Sequence, residues 1–202
     1  MWFERSTFAK TTVIASDGSG ATVPGRRQIT IRDLLTHTSG LPAGNSLEHY
    51  KAGKAAARAK LCSTALLAAP GAKFTYSDLG FVLLGWMVED VSGQPLERFA
   101  SDNIFKPLGM NDTGYKPGDA LKARCAATGA DGDGWLKGRV HDPRANLLGG
   151  VAGHGPAGGG DALVLGALQR VLDDAVGVGG ADPVRALLDR LAGLERLVGL
   201  EE

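Results

Sequence analysis

The sequence predicts a mixed α/β fold of the α+β kind, in which helices predominate and strands are few and short. Residues 79–87 form an apolar run long enough for a buried helix, and residues 29–35 carry apolar side chains on one helical face. Only two segments, residues 12–15 and 126–128, have the composition of strands. Because the helical segments hold most of this apolar sequence, we expect the core to lie among them.

Size and charge restrict the possible functions. The chain has 202 residues, enough for one domain with a core or for two small ones, and its formal net charge is zero. This balance gives no electrostatic attraction for nucleic acid or for an acidic membrane surface. No apolar run reaches the length of a membrane span, and the first residues lack the apolar centre of a signal peptide. We therefore expect no nucleic-acid partner and no membrane span in this chain, and the compartment stays unassigned.

The first organised element is the segment 29–42, ITIRDLLTHTSGLP. Thr30 is a good N-cap, and Asp33 stands three residues later, as in a capping box. The helix that they begin should be short and should stop in the loop that follows. His37 and Ser39 in that loop are chemically versatile, but no G-x-S-x-G string surrounds the serine, so we interpret both as loop residues.

This string closely resembles the signature that follows the nucleophile region in the serine β-lactamase and penicillin-binding-protein superfamily. The branch that it resembles is the class C β-lactamase-related one, with esterase-like and D-Ala-D-Ala carboxypeptidase-like members. The resemblance implies that the segment is structural, with His37 supporting the loop. It also implies a β-lactamase/transpeptidase-like fold, of which this chain should hold mainly the helical subdomain and an incomplete antiparallel sheet.

The segment 47–69 is rich in alanine and lysine and predicts a helix with a solvated basic face. A Pro-Gly turn then leads to Tyr76, Ser77 and Asp78, directly ahead of the long apolar run. Ser77 or Asp78 can cap this helix, which holds Tyr76 at an N-terminus where the helix dipole favours negative charge. From the residues alone, Tyr76 is either a candidate for acid/base work or a side chain that fills the start of the helix.

Tyr76-Ser77-Asp78 also resembles the family's Y-x-N element, with Asp78 in the place of Asn. The resemblance implies that Tyr76 relays protons for the attacking serine and for the leaving group. An unperturbed phenol, with a pKa of about 10, is too weak a base at neutral pH and needs a nearby cation. An ionised Asp78 accepts hydrogen bonds but cannot donate one to a substrate carbonyl. We therefore expect it to be the hydrogen-bond partner of Tyr76 or to pair with a lysine.

Residues 94–115 continue the resemblance, with Gly93 ending one helix and Pro95 in the first turn of the next. No catalytic role follows from them. The string Asp131-Gly132-Asp133-Gly134 predicts a turn, because the rest of a calcium-binding loop is absent.

Residues 149–154, GGVAGH, resemble the family's third motif. The K-T-G form of that motif becomes H-x-G in several esterase-like and carboxypeptidase-like members. The resemblance implies that His154 lies on the oxyanion side of the site, where it helps to hold the acyl carbonyl. Pro156 occupies the position at which the motif has its glycine.

The S-x-x-K motif, which carries the family's nucleophile and its lysine partner, does not occur in the chain. It is expected on a buried helix before Ile29, and the T-x-x-K string 7–10 lies too close to Ile29 to be that element. We therefore interpret the chain as truncated at its N-terminus, with residues 1–154 forming a partial β-lactamase-related domain. Residues 155–202 lack aromatic side chains, and we interpret them as a divergent helical tail, with a change of reading frame as one hypothesis.

The resemblance thus implies a fragment of a serine hydrolase whose complete form opens D-Ala-D-Ala peptides, β-lactams or small esters through a seryl acyl-enzyme. The candidate catalytic residues are Tyr76, Asp78 and His154, no cofactor or metal is implied, and this chain alone should be inactive. Complete members of the family are often exported. The alternative is a non-catalytic remnant or protein-binding module that uses two predicted tail helices, 161–175 and 182–198. A metal hydrolase built on the histidines is weaker, because no H-x-H or H-x-x-x-H spacing occurs.

Overall fold

A computed structural model of the chain describes residues 12–14, 20, 22–24 and 28–155. By its internal contacts the chain divides into two compact units, and all the described residues lie in the unit that spans Phe3–Asp161. The predicted tail helices and Pro156 lie outside the described residues. No helix in the described part is long and apolar enough to cross a membrane.

The described residues form a mixed α+β structure in which helices predominate, as predicted. Two short antiparallel pairs supply the strands: β1 with β2, and β3 with β4. The strands are β1 Thr12–Ile14, β2 Thr22–Pro24, β3 Ala127–Asp131 and β4 Gly134–Lys137. The helices are α1 Ile31–Leu35, α2 Glu48–Lys51, α3 Lys54–Cys62, α4 Asp78–Ser92, α5 Leu96–Ala100 with a π-helical turn at Ser101–Phe105, α6 Asp119–Arg124 and α7 Pro143–Leu147.

The start of α1 confirms the predicted capping box. The Asp33 N–H donates to Thr30 Oγ1 at 3.2 Å, and the Thr30 N–H donates to Asp33 Oδ2 at 2.8 Å. These reciprocal bonds satisfy two backbone donors that the first turn of a helix leaves without partners. The helix ends at Leu35, and the chain continues as the predicted loop.

Helix α4 is the centre of the described core. Ser77 is its N-cap, accepting the Gly80 N–H at 3.4 Å, and Gly93 ends it in a left-handed conformation with φ +67°. The apolar side chains of its buried face are at most 7% exposed: Leu79, Val82, Leu83, Trp86 and Met87. Helices α1 and α5 both pack against α4. Burial of each large side chain contributes roughly 1.5–3 kcal/mol, so this face anchors the fold.

Two helix boundaries differ from the prediction. The single helix expected over residues 47–69 was wrong, because Gly53, with φ +89°, separates α2 from α3 and the chain leaves helical geometry after Cys62. Pro95 is the residue before α5, one position earlier than the first turn in which it was predicted. The turn at Asp131–Gly134 is confirmed, since Asp131 lies opposite Gly134 across the β3–β4 hairpin.

The loop after α1 is fastened along its length to the chain that leads to α4. Three backbone N–H groups of that later chain donate to it: Leu67 to the Gly40 carbonyl at 2.8 Å, Gly71 to the Thr38 carbonyl at 2.7 Å and Thr75 to the His37 carbonyl at 2.8 Å. Gly40 has φ +82°, and a Cβ built on it would lie 2.1 Å from the Ala68 carbonyl oxygen. Only glycine fits there, and the two segments are therefore held close together.

The last described segment packs onto the same helix. Ala152 and Gly155 form an antiparallel bridge, and between them Gly153 lies against the backbone of α4. A Cβ on Gly153 would lie 2.0 Å from the Phe81 carbonyl oxygen and 2.9 Å from the Gly85 nitrogen. This close approach brings the neighbouring His154 to the first half of α4.

Candidate functional site

Tyr76 lies on the short loop that enters α4. Its side chain is 65% exposed. The phenol ring packs against the His37 ring, with 4.5 Å between centroids and 34° between planes. The structure therefore presents the Tyr76 ring to solvent while one of its faces rests on a neighbour.

Ser77 fixes the backbone next to Tyr76. Its N–H donates to His37 Nδ1 at 3.1 Å, and its Oγ donates to the Pro42 carbonyl at 2.7 Å. The same Oγ accepts the N–H of Gly80 as the cap of α4. Because Ser77 is only 1% exposed, its own donor and acceptor atoms in these bonds are shielded from water.

His37 supports the loop, as the resemblance implied, and it does so with its ring as well as its backbone. Its ring stacks on Phe81 at 5.0 Å between centroids and meets Phe74 edge-on at 5.8 Å. Burial lowers the pKa of His37, and the negative charge of Asp78 opposes that shift only in part. Ser39 in the same loop is 1% exposed, with its Oγ accepting the Leu41 N–H at 3.4 Å.

Asp78 pairs with a cation, but the cation is an arginine. Arg144 Nη1 lies 3.8 Å from Asp78 Oδ2, and Arg144 Nη2 donates to the Asn45 carbonyl at 2.8 Å. The side chains of Asp78 and Arg144 are 30% and 19% exposed, respectively. The Asp78 N–H also donates to the Ala43 carbonyl at 3.1 Å, so backbone and side chain are both held.

His154 is nearly buried, with 5% of its side chain exposed, and its Nε2 donates to Asp142 Oδ1 at 2.9 Å. The Asp142 carboxylate also accepts the Ala145 N–H at 2.7 Å, as the N-cap of α7. Burial raises the pKa of Asp142, but the bonds from His154 and Ala145 and the positive charges of His154 and Arg144 outweigh it and lower that pKa to about 2.

These contacts join the second and third candidate residues into one group, which we call the Asp142 cluster: Asp78, Arg144, Asp142 and His154. Arg144 pairs with Asp78, and its positive charge also lowers the pKa of Asp142. Tyr76 belongs to the other group, the Tyr76 loop, which consists of residues 74–77 with His37 and Phe81. Asp78 follows Tyr76 by two residues and connects the groups.

A buried tyrosine lies beside the Asp142 cluster. The Tyr50 hydroxyl donates to Asn45 Oδ1 at 2.9 Å. Burial raises the pKa of Tyr50, and Arg144 and Asn45 partly counter the shift. Tyr50 is 1% exposed. It therefore contrasts with Tyr76, whose ring faces solvent.

Sequence reasoning missed Arg144 and the role of Asp142. A signal for both was present, because Asp142 followed by Pro143 is a typical helix start, with a cap and then proline in the first turn. That pattern predicts α7 and places Arg144 in its first turn. The pairing with Asp78, 66 positions away in the sequence, carries no local signal.

Metal chemistry finds no support in the described residues. Among them, no group of three or more histidine, cysteine, aspartate or glutamate side chains is arranged to hold a metal ion.

Comparison with known proteins identifies relatives of this chain. The sequence profile of the β-lactamase family matches residues 20–194, beyond both ends of the segments, between residues 29 and 154, that carry the resemblance described above. A protein of Escherichia coli K12 named "Putative D-alanyl-D-alanine carboxypeptidase" is 33% identical over 162 residues, covering 69% of this chain and 37% of that protein. A Salmonella typhimurium protein of the same name is 32% identical over 163 residues, covering 68% of this chain and 37% of its own length.

Comparison with solved structures also finds proteins that resemble this chain. Unliganded simvastatin synthase from Aspergillus terreus superposes with a TM-score of 0.53 at 26% identity, over 82% of this chain and 45% of the synthase. A β-lactamase/D-alanine carboxypeptidase from Yersinia pestis superposes with a TM-score of 0.51 at 22% identity, over 79% of this chain and 44% of the other, which shows a shared fold. The chain thus spans less than half the length of each of these proteins.

Proposed function

The chain belongs to the β-lactamase family, and we propose that it is part of a serine hydrolase in which Tyr76 relays protons. The family resemblance and the β-lactamase/transpeptidase-like fold predicted from the sequence are thereby confirmed. The observation that carries the proposal is an exposed phenol on a backbone that is fixed on both sides. A proton relay needs a defined position and access to the reacting atoms, and this loop supplies both.

The cation that Tyr76 needs is a separate matter. Arg144 is occupied by Asp78 and the Asn45 carbonyl. We therefore assign the role of that cation to the lysine of the S-x-x-K motif in the complete form. Asp78 pairs with Arg144 and serves to position the start of α4, and a carboxylate cannot donate a hydrogen bond to a substrate carbonyl.

His154 has a weaker claim to contact substrate. Its Nε2 is directed at Asp142, and its side chain is nearly buried. These contacts favour support of the Asp142 cap at the start of α7. A role on the oxyanion side, where the H-x-G resemblance puts it, stays a prediction for the complete form.

The substrates that we propose for the complete form are D-Ala-D-Ala peptides, β-lactams or small esters, opened through a seryl acyl-enzyme. The names of the E. coli and Salmonella relatives support the first of these. The serine would attack the carbonyl carbon while Tyr76 accepts its proton, and Tyr76 would then protonate the leaving group as the acyl bond breaks. Water would release the acyl group in a second step.

We propose that the 202-residue chain alone is inactive, because it has no S-x-x-K motif. The test is intact mass spectrometry after incubation with a fluorescent penicillin and with a phosphonate probe. We expect an unmodified mass and no turnover of nitrocefin. A stoichiometric adduct on any serine or threonine would overturn the proposal.

The role of Tyr76 can be tested in a chimera that carries residues 28–155 of this chain in place of the matching segment of the E. coli relative. In an active chimera, Tyr76→Phe should lower kcat for release of D-alanine from a D-Ala-D-Ala peptide by about 100-fold or more. Tyr50→Phe, which removes a buried hydroxyl, is the matched control and should leave kcat within a few-fold. Full activity of the Tyr76→Phe chimera would disprove the relay.

Two further statements stay proposals. One is the division into a partial domain over residues 1–154 and a tail over residues 155–202. The other is the alternative of a non-catalytic module that binds a protein through the tail helices, whose residues lie outside the described ones.

A further inference from the structure

We propose that His37 is a positioning residue for Tyr76: its neutral ring, with the proton on Nε2, holds residues 74–77, and a second proton on that ring releases them. This inference rests on the proposed role of Tyr76 and adds a means by which acid would control it.

His37 accepts a backbone hydrogen bond from each of the two residues next to Tyr76 in the sequence. On one side, the Thr75 N–H donates to the His37 carbonyl at 2.8 Å. On the other, the Ser77 N–H donates to His37 Nδ1 at 3.1 Å. A single residue, distant in sequence, therefore fixes the backbone immediately before and after Tyr76.

The second of these bonds defines the protonation state of the ring. A ring nitrogen that accepts an N–H carries no proton, so the neutral His37 ring has its proton on Nε2. When the ring gains a second proton, both nitrogens become donors, and Nδ1–H then faces the Ser77 N–H. Because Ser77 is also the N-cap of α4, loss of this bond reaches the first turn of that helix.

The His37 ring is packed as well as hydrogen-bonded. It lies against Tyr76 at 4.5 Å and against Phe81 at 5.0 Å between ring centroids, with the Phe74 ring at its edge. The backbone of His37 is left-handed, with φ +55°, a conformation that side-chain-bearing residues seldom adopt. Such residues persist where their surroundings hold them, and they concentrate at functional sites.

The charges around the ring set where it titrates. Burial among the aromatic rings disfavours a charged His37, while Asp78, at the start of α4, favours it. Arg144 lies beside Asp78 and forms an ion pair with the same carboxylate. Among the described residues, the Tyr76 phenol also lies against the ring. Burial has the larger effect on the His37 pKa. Residues 74–77 should therefore stay bound to His37 at neutral pH and be released from it at mildly acid pH.

The first test is nitrogen-15 NMR of the full 202-residue chain. At pH 7.5 we expect the His37 Nδ1 shift of an unprotonated acceptor. As the pH falls, the chemical shifts of the Ser77 amide and the Tyr76 ring should change with the same midpoint as the titration of His37, which lies below pH 6.5. The chemical shift of an amide inside α5 should not change with that midpoint. A protonated Nδ1 at pH 7.5, or Ser77 and Tyr76 signals that ignore the midpoint, would overturn the inference.

Two variants separate the acceptor from the ring. His37→Asn keeps an acceptor and tolerates the left-handed backbone, whereas His37→Phe keeps a ring and removes the acceptor. We expect hydrogen exchange of the Ser77 amide to be about tenfold faster in His37→Phe and near wild type in His37→Asn. His49→Phe is the matched control and should change nothing at Ser77. Equal Ser77 exchange in the two His37 variants would refute the acceptor role.

If the variants fail to fold, the titration of the unmodified chain still decides the question. None of these measurements depends on turnover. A failure of the proposed hydrolase function would appear in the chimera, while a failure of this inference would appear in the NMR data.

Discussion

The Tyr76 loop and the Asp142 cluster each use a histidine to hold the chain near the start of α4, and they use it in opposite ways. In the Tyr76 loop, His37 accepts a backbone N–H and lies among aromatic rings. In the Asp142 cluster, His154 donates to a carboxylate that also caps a helix. The first arrangement disfavours charge on the histidine, and the second stabilises charge on its partner.

The neighbours of a histidine thus decide the pH range over which its region of the structure responds. The pKa of His37 is lowered from 6.5, so the stability that its neutral form contributes is complete above 6.5 and is lost as the pH falls through the lower, folded value. The pKa of Asp142 is lowered from 3.8 to about 2, so its contribution is complete above 3.8 and is lost as the pH falls through 2. The Tyr76 loop should therefore loosen first on acidification.

The greatest loss of stability should come from a substitution at Gly153, where the chain next to His154 lies against the backbone of α4. In Gly153→Ala, the new Cβ would lie 2.0 Å from the Phe81 carbonyl oxygen, so the backbone must move. We expect a loss of about 3 kcal/mol in the free energy of unfolding, measured by urea denaturation. The matched control is Gly114→Ala, where the same atom meets nothing within 4 Å. Equal stability of the two variants would show that residues 152–155 do not pack on α4.

The next effect tests the charge in the Asp142 cluster. Asp142→Asn keeps a capping side chain but removes the negative charge that His154 and Arg144 face. We expect a loss of about 2 kcal/mol at neutral pH, shrinking as the pH is lowered from 4 towards 2 because the wild type then loses the same charge. A difference that stays constant over this range would contradict the low pKa.

Asp119→Asn is the control for that substitution. Asp119 also lies in the first turn of a helix and pairs with a lysine, but its side chain is 99% exposed. Exposed ion pairs contribute little, and the control should change stability by less than about 0.5 kcal/mol.

The smallest of the three effects concerns the Tyr76 loop. Ser77→Ala removes the hydroxyl that caps α4 and donates to the Pro42 carbonyl. We expect a loss of about 1–2 kcal/mol, together with faster exchange of the Gly80 amide. Ser63→Ala, whose hydroxyl makes a solvent-exposed bond to the Lys60 carbonyl, should be nearly neutral. If the Ser77→Ala variant were as stable as the control, the Ser77 hydroxyl would not connect this loop to the stability of α4.

Structural features could be predicted from the sequence where the interacting residues are close along the chain. Thr30 and Asp33 are three residues apart, and their capping box follows from their types and spacing. The cap at Ser77 and the hairpin turn before Gly134 were predictable for the same reason. The break at Gly53 was missed because alanine and lysine on both sides favour helix more strongly than one glycine disfavours it.

The candidate site depended on contacts that no local pattern contains. His37 and Ser77 are separated by 40 positions, and their bond requires the fold to bring the α1 loop to α4. Arg144 meets Asp78 for the same reason, which is why the sequence suggested a lysine for that carboxylate and could not identify the arginine. The residue types that support a proton relay could be identified from the sequence, but their hydrogen-bond and ion-pair partners could not.

The left-handed Gly40, pressed against Ala68, has a practical consequence for anyone who diversifies this protein. A library that randomises positions 36–42 should return glycine alone at position 40, since any side chain there would collide with a carbonyl oxygen 2.1 Å away. Deep sequencing of the surviving clones would thus detect the close contact between the loop after α1 and the chain that leads to α4, without any knowledge of the substrate.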